Sequence, residues 1–292
     1  MKLVTYSKIP ATGTRHPGIL LDDKRIVDLS ASGFTTVLEI IGGGAGALAK
    51  LKAIAAKSDA PTVSLADVKL HAPIPRPAKN VFCVGWNYLE HFEEGAKKLE
   101  EKRELPRHPV FFSKAVTAVN DPYGTIPFDA AISTSLDWEV ELGVIIGTGG
   151  KNISEADAMK HIFGYTVIND VTWRDVQRRH GGQWHKGKSF DGTCPMGPCI
   201  VTADQVDPTN LKVACRVNGV TKQDSSTKFL YFKIERLIAE LSQGMTLEPG
   251  DIISTGTPEG VGFARTPPEF LKPGDLLETE IEGIGTLRNT IG

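Results

Sequence analysis

The sequence predicts an α+β, β-rich protein. Short apolar, β-branched runs bounded by Gly, Pro or Asn outnumber helical periodicities along the chain. They do not alternate regularly with helices, as a doubly wound parallel sheet would require. A third observation divides the chain. Ala72-Pro73-Ile74-Pro75-Arg76-Pro77 is its stiffest stretch, and it separates a small N-terminal α/β domain over 1–71 from a larger domain over 78–292.

Taken in order, 2–7, 18–22 and 26–29 read as short strands, punctuated by Gly18 and Asp22-Asp23. A helical pattern follows, with Val37, Ile41, Leu48, Leu51 and Ala55 near one face, and Gly42-Gly43-Gly44-Ala45-Gly46 breaks it. This cluster follows a helix, so it lacks the strand-to-helix context of a phosphate-cradling loop. After the proline stretch, 80–85 is a strand and 88–104 a charged helix interrupted by Gly95, with Pro106 ending it. Few apolar anchors in that segment predict a mobile lid over about 86–106. A strand at 110–113 and a turn at Asp121-Pro122-Tyr123-Gly124 precede a buried strand over 138–146.

Ser154 is placed to N-cap a helix over 154–162, and a strand at 165–169 runs into a helix over 170–179. Cys194 and Cys199 flank Pro-Met-Gly-Pro, which suits a tight turn. Residues 211–217 followed by Asn218-Gly219 predict a strand entering a hairpin. Ile234, Leu237, Ile238 and Leu241 give 233–243 a helical face, and 251–254, 275–282 and 286–291 are closing strands.

At 292 residues, with 40% hydrophobic and 23% charged side chains, the chain has ample material for a globular core. A net charge of −2 supplies no global attraction to nucleic acid or anionic membrane. The first residues carry no signal-type apolar segment and no apolar run is long enough to span a bilayer, so the expected location is cytoplasmic. The four cysteines lack zinc-type spacing and are expected to be reduced thiols.

The chemistry centres on Glu139 and Glu141. Residues two apart on a strand share a face, so two carboxylates stand side by side on an otherwise apolar strand. Repulsion and desolvation disfavour that arrangement unless a cation sits between them, and a divalent metal satisfies it. A strand edge with both acids in water would account for the pair alone. Asp170 stands where a strand ends, either as a third acid or as a helix N-cap. If a helix begins there, Arg174 and Gln177 share its face with Asp170, to serve a metal and an anionic substrate or simply as a solvated stripe. Lys188 sits in a Gly-bounded loop, Thr257 in a glycine-rich turn able to hold a carboxylate, and His91 precedes Glu94 by one helical turn.

Read in order, these segments resemble the fumarylacetoacetate hydrolase family. The resemblance is carried by Val84-Gly85-Trp86-Asn87-Tyr88-x-x-His91-x-x-Glu94, Phe112-Ser113-Lys114, Asp137-Trp138-Glu139-Val140-Glu141-Leu142, Asp170-Val171-Thr172-Trp173-Arg174-Asp175-Val176-Gln177, Gly187-Lys188-Ser189-Phe190-Asp191 and Thr255-Gly256-Thr257-Pro258-x-Gly260-Val261-Gly262. Trp86 departs from many relatives at its position. The resemblance implies a mixed β-sandwich roll and a homodimer. It implies Mg2+ or Mn2+ on Glu139, Glu141 and Asp170, and a small-molecule 2-oxo acid as substrate, with no nucleic-acid or membrane partner. His91 and Glu94 would activate water on a closing segment. Lys188, Arg174 and Gln177 would hold the oxyanion or the substrate carboxylate, and Thr257 would help seat that carboxylate. The leading expectation is hydrolysis of the C–C bond of a 2,4-dioxo acid. Oxaloacetate decarboxylation, or hydration or isomerisation of a 2-oxo acid, is the alternative on the same site.

Overall fold

The computed structural model describes residues 1–10, 13–99 and 104–292. The chain begins with β1 (Lys2–Lys8), β2 (His16–Leu20) and β3 (Arg25–Asp28), then α1 (Val37–Gly42), α2 (Gly44–Ala55), β4 (Thr62–Ser64) and β5 (Val68–His71). Next come β6 (Val81–Gly85), α3 (Leu89–Lys98), β7 (Val110–Lys114), β8 (Val119–Asn120), β9 (Leu136–Asp137) and β10 (Val140–Ile146). They are followed by α4 (Glu155–Ala158), β11 (Ile162–Asn169), β12 (Thr172–Trp173), α5 (Arg174–Arg179), α6 (His185–Lys188) and β13 (Cys194–Thr202). The last elements are β14 (Lys212–Val217), β15 (Val220–Ser226), α7 (Ile234–Ser242), β16 (Ile252–Ser254), β17 (Leu276–Ile281) and β18 (Gly285–Thr290).

A mixed sheet of 12 strands holds the molecule together, in the order β4-β3-β2-β1-β13-β11-β10-β16-β6-β7, with β5 on β1 and β8 on β13. A second sheet, β15-β14-β17-β18, has 4 strands. The expected β-rich α+β class is what the structure has. The apolar pattern of β10 explains its central place: Val140, Leu142 and Val144 enter one core and Ile145 enters another, so both faces are buried. In α7, Ile234, Leu237, Ile238 and Leu241 are all buried, as their helical spacing predicts. Asn218 and Gly219 take φ of 52° and 78°, closing the expected two-residue hairpin between Val217 and Val220. No helix among the described residues is long and apolar enough to cross a membrane.

The differences from the sequence reading have physical causes. The cysteine segment is not a turn but β13, nine buried residues paired with β1 on one side and β11 on the other. Pro195, Gly197 and Pro198 argue locally against a strand, and burial between two partners overrides that preference. The helix expected from 170 begins only at Arg174, because Thr172 and Trp173 first pair with Asp137 and Leu136. The helix capped by Ser154 shrinks to α4 and a 3-10 turn at Met159–His161, although the cap bond to the Asp157 N–H is made. The charged helix over 88–104 is α3 as far as Lys98, while 100–103 lie outside the described residues.

The first strands are joined to the rest through β1–β13 pairing, a shared apolar core and a polar cluster. His71 lies between Ser7 and Asp121, with Nε2 2.9 Å from the Ser7 Oγ and Nδ1 3.0 Å from the Asp121 Oδ2. Lys69 Nζ is 3.0 Å from the same oxygen, and the Ala72 N–H donates to Oδ1 at 3.1 Å. Burial works against the Asp121 charge, but His71 and Lys69 outweigh it and hold the carboxyl at about 2. A depressed carboxyl stabilises the fold above its unfolded pKa, and that stabilisation is lost as the pH falls through the folded value. The stability difference between the wild type and Asp121→Asn is therefore expected to carry a pH-dependent part of about 2 kcal/mol, present at pH 6 and lost between roughly pH 4 and 2. Urea unfolding across that range checks it; a flat difference would contradict it.

Candidate active site and metal centre

Glu139 and Asp170 meet because the backbone puts them together. The Asp170 N–H donates to the Glu139 carbonyl at 2.9 Å, just beyond the Val140–Asn169 pair of β10 and β11. Glu141 lies two residues along, and one carboxylate oxygen from each of the three acids falls within 4.8 Å of the others. All three are buried. Each is held differently. Arg174 Nη2 and Lys188 Nζ each lie 2.7 Å from Glu139, on separate oxygens. Lys188 also bonds Asp170 Oδ2 at 2.8 Å, and Lys114 lies 2.9 Å from Asp170 Oδ1. Glu141 accepts from the Ser254 hydroxyl at 2.6 Å and the Gly256 N–H at 2.9 Å. Among the described residues no cationic side chain forms an ion pair with it. Gly256 reaches that bond from a backbone φ of 98°, where a side chain would be strained and its Cβ would come 2.7 Å from that of Asn87.

The electrostatics follow from this arrangement. Burial works against charge on Glu139, but Lys188 and Arg174 outweigh it and hold its carboxyl well below the usual range. Burial pushes Glu141 well above that range, and its neighbours Asp170 and Glu139 add to the shift. Among the described residues, four buried acids, counting Asp137, face three buried cations, Lys114, Arg174 and Lys188, so ionising all four would leave one uncompensated negative charge. A divalent cation among the three oxygens would make the centre net positive, and all-oxygen ligands suit a hard ion. The residues present fit such an ion.

A cleft of about 380 Å³ opens onto this centre and is lined by His91, Glu139, Glu141, Arg174, Gln177 and Lys188, with Thr257 among its other walls. His91 Nδ1 is 2.9 Å from Glu94 Oε1, and the other Glu94 oxygen accepts the Gly260 N–H at 3.0 Å. This bond and one from Lys98 to the Arg265 carbonyl at 2.9 Å fasten α3 over the 260–265 segment. Gln177 accepts from Arg174 Nη1 at 3.4 Å, and Thr257 accepts from Gln223 at 2.8 Å. The structure thus brings every candidate residue to one place, with two changes of setting. Lys188 ends the short helix α6 instead of lying in a loop, and Asp170 precedes β12 instead of capping a helix.

Sequence reasoning missed several participants. Asp137 anchors Arg174 through Nε at 2.7 Å and accepts the Gly262 and Phe263 N–H groups at 2.7 and 3.0 Å. Lys114 belongs to the Phe112-Ser113-Lys114 motif but has no role assigned from the sequence, yet it is fully buried on Asp170 and on the Val171 carbonyl at 3.0 Å. Replacing Lys114 with Met would leave Asp170 with Lys188 as its remaining cation. Loss of one partner from a buried pair predicts a destabilisation of about 3 kcal/mol. Denaturant unfolding of the metal-free protein checks this, and an unchanged midpoint would contradict it. Trp86 also stands out: its φ is 54°, a left-handed conformation costing on the order of 1–2 kcal/mol for a residue with a side chain.

The model of the fumarylacetoacetate (FAA) hydrolase C-terminal domain matches residues 80–292, which contain all the candidate side chains. The chain belongs to the fumarylacetoacetate hydrolase family. Within it, the chain is 42% identical to the oxaloacetate tautomerase YisK of Bacillus subtilis, over 94% of this chain and 95% of that protein. The fumarylacetoacetate hydrolase structure from Exiguobacterium antarcticum superposes with a TM-score of 0.83 at 38% identity, covering 100% of this chain and 99% of that one. A maleylpyruvate hydrolase from Sphingobium, solved with manganese(II) and pyruvate, gives a TM-score of 0.79 at 27% identity, covering 100% and 98%. These relatives thus include both a tautomerase and a hydrolase.

Proposed function

We propose that this chain is a divalent-metal-dependent enol–keto tautomerase of small 2-oxo acids, with oxaloacetate-type dicarboxylates as its substrate class. The observation that carries the reading is near-full-length likeness to an oxaloacetate tautomerase in a chain that sets a His–Glu pair beside its acidic centre. Tautomerisation moves one proton between the C2 oxygen and C3, so it needs a base beside an electron sink. Mg2+ or Mn2+ on Glu139, Glu141 and Asp170 would polarise the 2-oxo group and stabilise charge on its oxygen. Glu94 fixes the Nδ1 side of His91, and the Nε2 side carries the proton between the C2 oxygen and C3. Lys188 is locked between Glu139 and Asp170, so its part is to hold these carboxylates in place and supply positive potential to the C2 oxygen. Gln177 and Thr257 orient the substrate carboxylates. Arg174 adds positive potential, its Nε and Nη2 being committed to Asp137 and Glu139.

Hydrolysis of a 2,4-dioxo acid is the second reading, supported by the same His91–Glu94 pair, since a base that takes a carbon-bound proton can also activate water. The likeness to a maleylpyruvate hydrolase bound to manganese and pyruvate favours it too. Enol-oxaloacetate added to the protein with Mg2+ should lose its ultraviolet enol absorbance faster than in buffer, and chelator should remove the acceleration. Pyruvate release from acylpyruvates without that acceleration would transfer the assignment to hydrolysis. The same proposal includes a homodimer in the cytoplasm, and a small N-terminal domain over 1–71 that shares the large sheet through β1.

A further inference from the structure

The cleft has two chemically different flanks, and Glu139 joins them. On one flank Lys188, bonded to Glu139, has its Nζ 5.0 Å from the Phe112 ring. From there edge-to-face contacts run from Phe112 to Trp184 at 5.2 Å, from Trp184 to Trp86 at 4.9 Å and from Trp86 to Phe92 at 6.1 Å. Phe92 follows His91 in α3, so a line of rings connects the charged centre to the helix bearing the His–Glu pair. On the other flank Arg174, bonded to the same carboxylate, lies 4.6 Å from the Phe263 ring, and Arg178 lies 5.0 Å from it.

We propose that Trp86 is a specificity-determining residue: it closes the apolar flank and limits substrates to those with a compact group beyond the 2-oxo acid head. This rests on the reading of the centre as a 2-oxo acid site. Three observations carry it. Trp86 lines the cleft. Its backbone has a φ of 54°, where glycine would be at ease, so a tryptophan persists there only because its surroundings hold it. The indole is wedged between Trp184 and Phe92, and Trp184 cannot retreat. A Cβ on Gly85 would stand 2.4 Å from the Trp184 ring, so that indole is already packed against the backbone of β6. A wall packed from behind gives a size limit instead of yielding to the ligand. The opposite flank carries the arginines, so a compact anionic group is accommodated there while a planar aryl group meets Trp86.

The test is titration calorimetry on Mn2+-loaded protein with three probes: oxalate for the head alone, pyruvate for a compact 2-oxo acid, and phenylglyoxylate for the same head with an aryl group. Wild type is expected to prefer pyruvate to phenylglyoxylate by at least about tenfold, and Trp86→Gly to shift that ratio toward the aryl acid by at least about tenfold. Oxalate affinity should change by less than phenylglyoxylate affinity. Trp86→Phe, a smaller ring that keeps an edge-to-face partner, should fall between the two. A pyruvate-to-phenylglyoxylate ratio unchanged in both variants, with oxalate still bound, would overturn the role of Trp86. Failure of wild type to bind oxalate would instead defeat the 2-oxo acid reading, and the proposal with it.

Discussion

Replacing Glu141 with Gln is expected to abolish divalent-cation binding and to reduce turnover by on the order of 10³-fold or more, since the charge stabilisation that a bound metal supplies is worth several kcal/mol. The same substitution should make the metal-free protein more stable at neutral pH. Burial, with Asp170 and Glu139 nearby, raises the Glu141 carboxyl in the fold. An acid raised by folding costs stability once the pH exceeds its unfolded pKa, and that cost grows until the folded pKa is reached. The advantage of Glu141→Gln should therefore be present at pH 7 and shrink toward pH 4. Asp170→Asn should behave oppositely. It too removes metal binding, but it deprives Lys114 and Lys188 of a shared buried partner, for an expected loss of about 3–5 kcal/mol. Calorimetry with Mn2+ and denaturant unfolding without it separate the two effects. Equal stability changes in the two variants would contradict this charge balance.

Replacing His91 with Ala is expected to cost about 10²–10⁴-fold in rate while leaving cation affinity intact. His91 is no part of the carboxylate cluster, and its Nδ1 is held by Glu94 at 2.9 Å. Glu94→Gln should cost less, because the imidazole stays and loses only its orienting anion. Its second carboxylate oxygen also accepts from Gly260, so this variant should loosen α3 as well. A His91→Ala protein that tautomerises oxaloacetate at the wild-type rate would show that the proton is handled elsewhere, with Lys188 the next group to examine.

Much of this site is legible in the chain because its chemistry sits at strand ends that local patterns reveal. The apolar run behind Glu139 and Glu141 marks β10, and Tyr165-Thr-Val-Ile-Asn169 marks the strand that delivers Asp170. What the sequence conceals is pairing at long range. Lys114 lies 56 residues before Asp170, and no periodicity links them; only the fold brings them to 2.9 Å. Arg174 illustrates the same limit, since its two carboxylate partners, Asp137 and Glu139, belong to another segment. β13 was hidden for a different reason: its prolines and glycine oppose a strand locally, and only the neighbours on both sides make it one.

Anomalous diffraction from crystals soaked in Mn2+ and oxalate tests the central claim most directly. One manganese peak is expected at roughly 2.0–2.3 Å from one oxygen each of Glu139, Glu141 and Asp170, with oxalate completing its coordination on the cleft side. A peak bound elsewhere on the chain, or oxalate seated with no metal between these carboxylates, would contradict it.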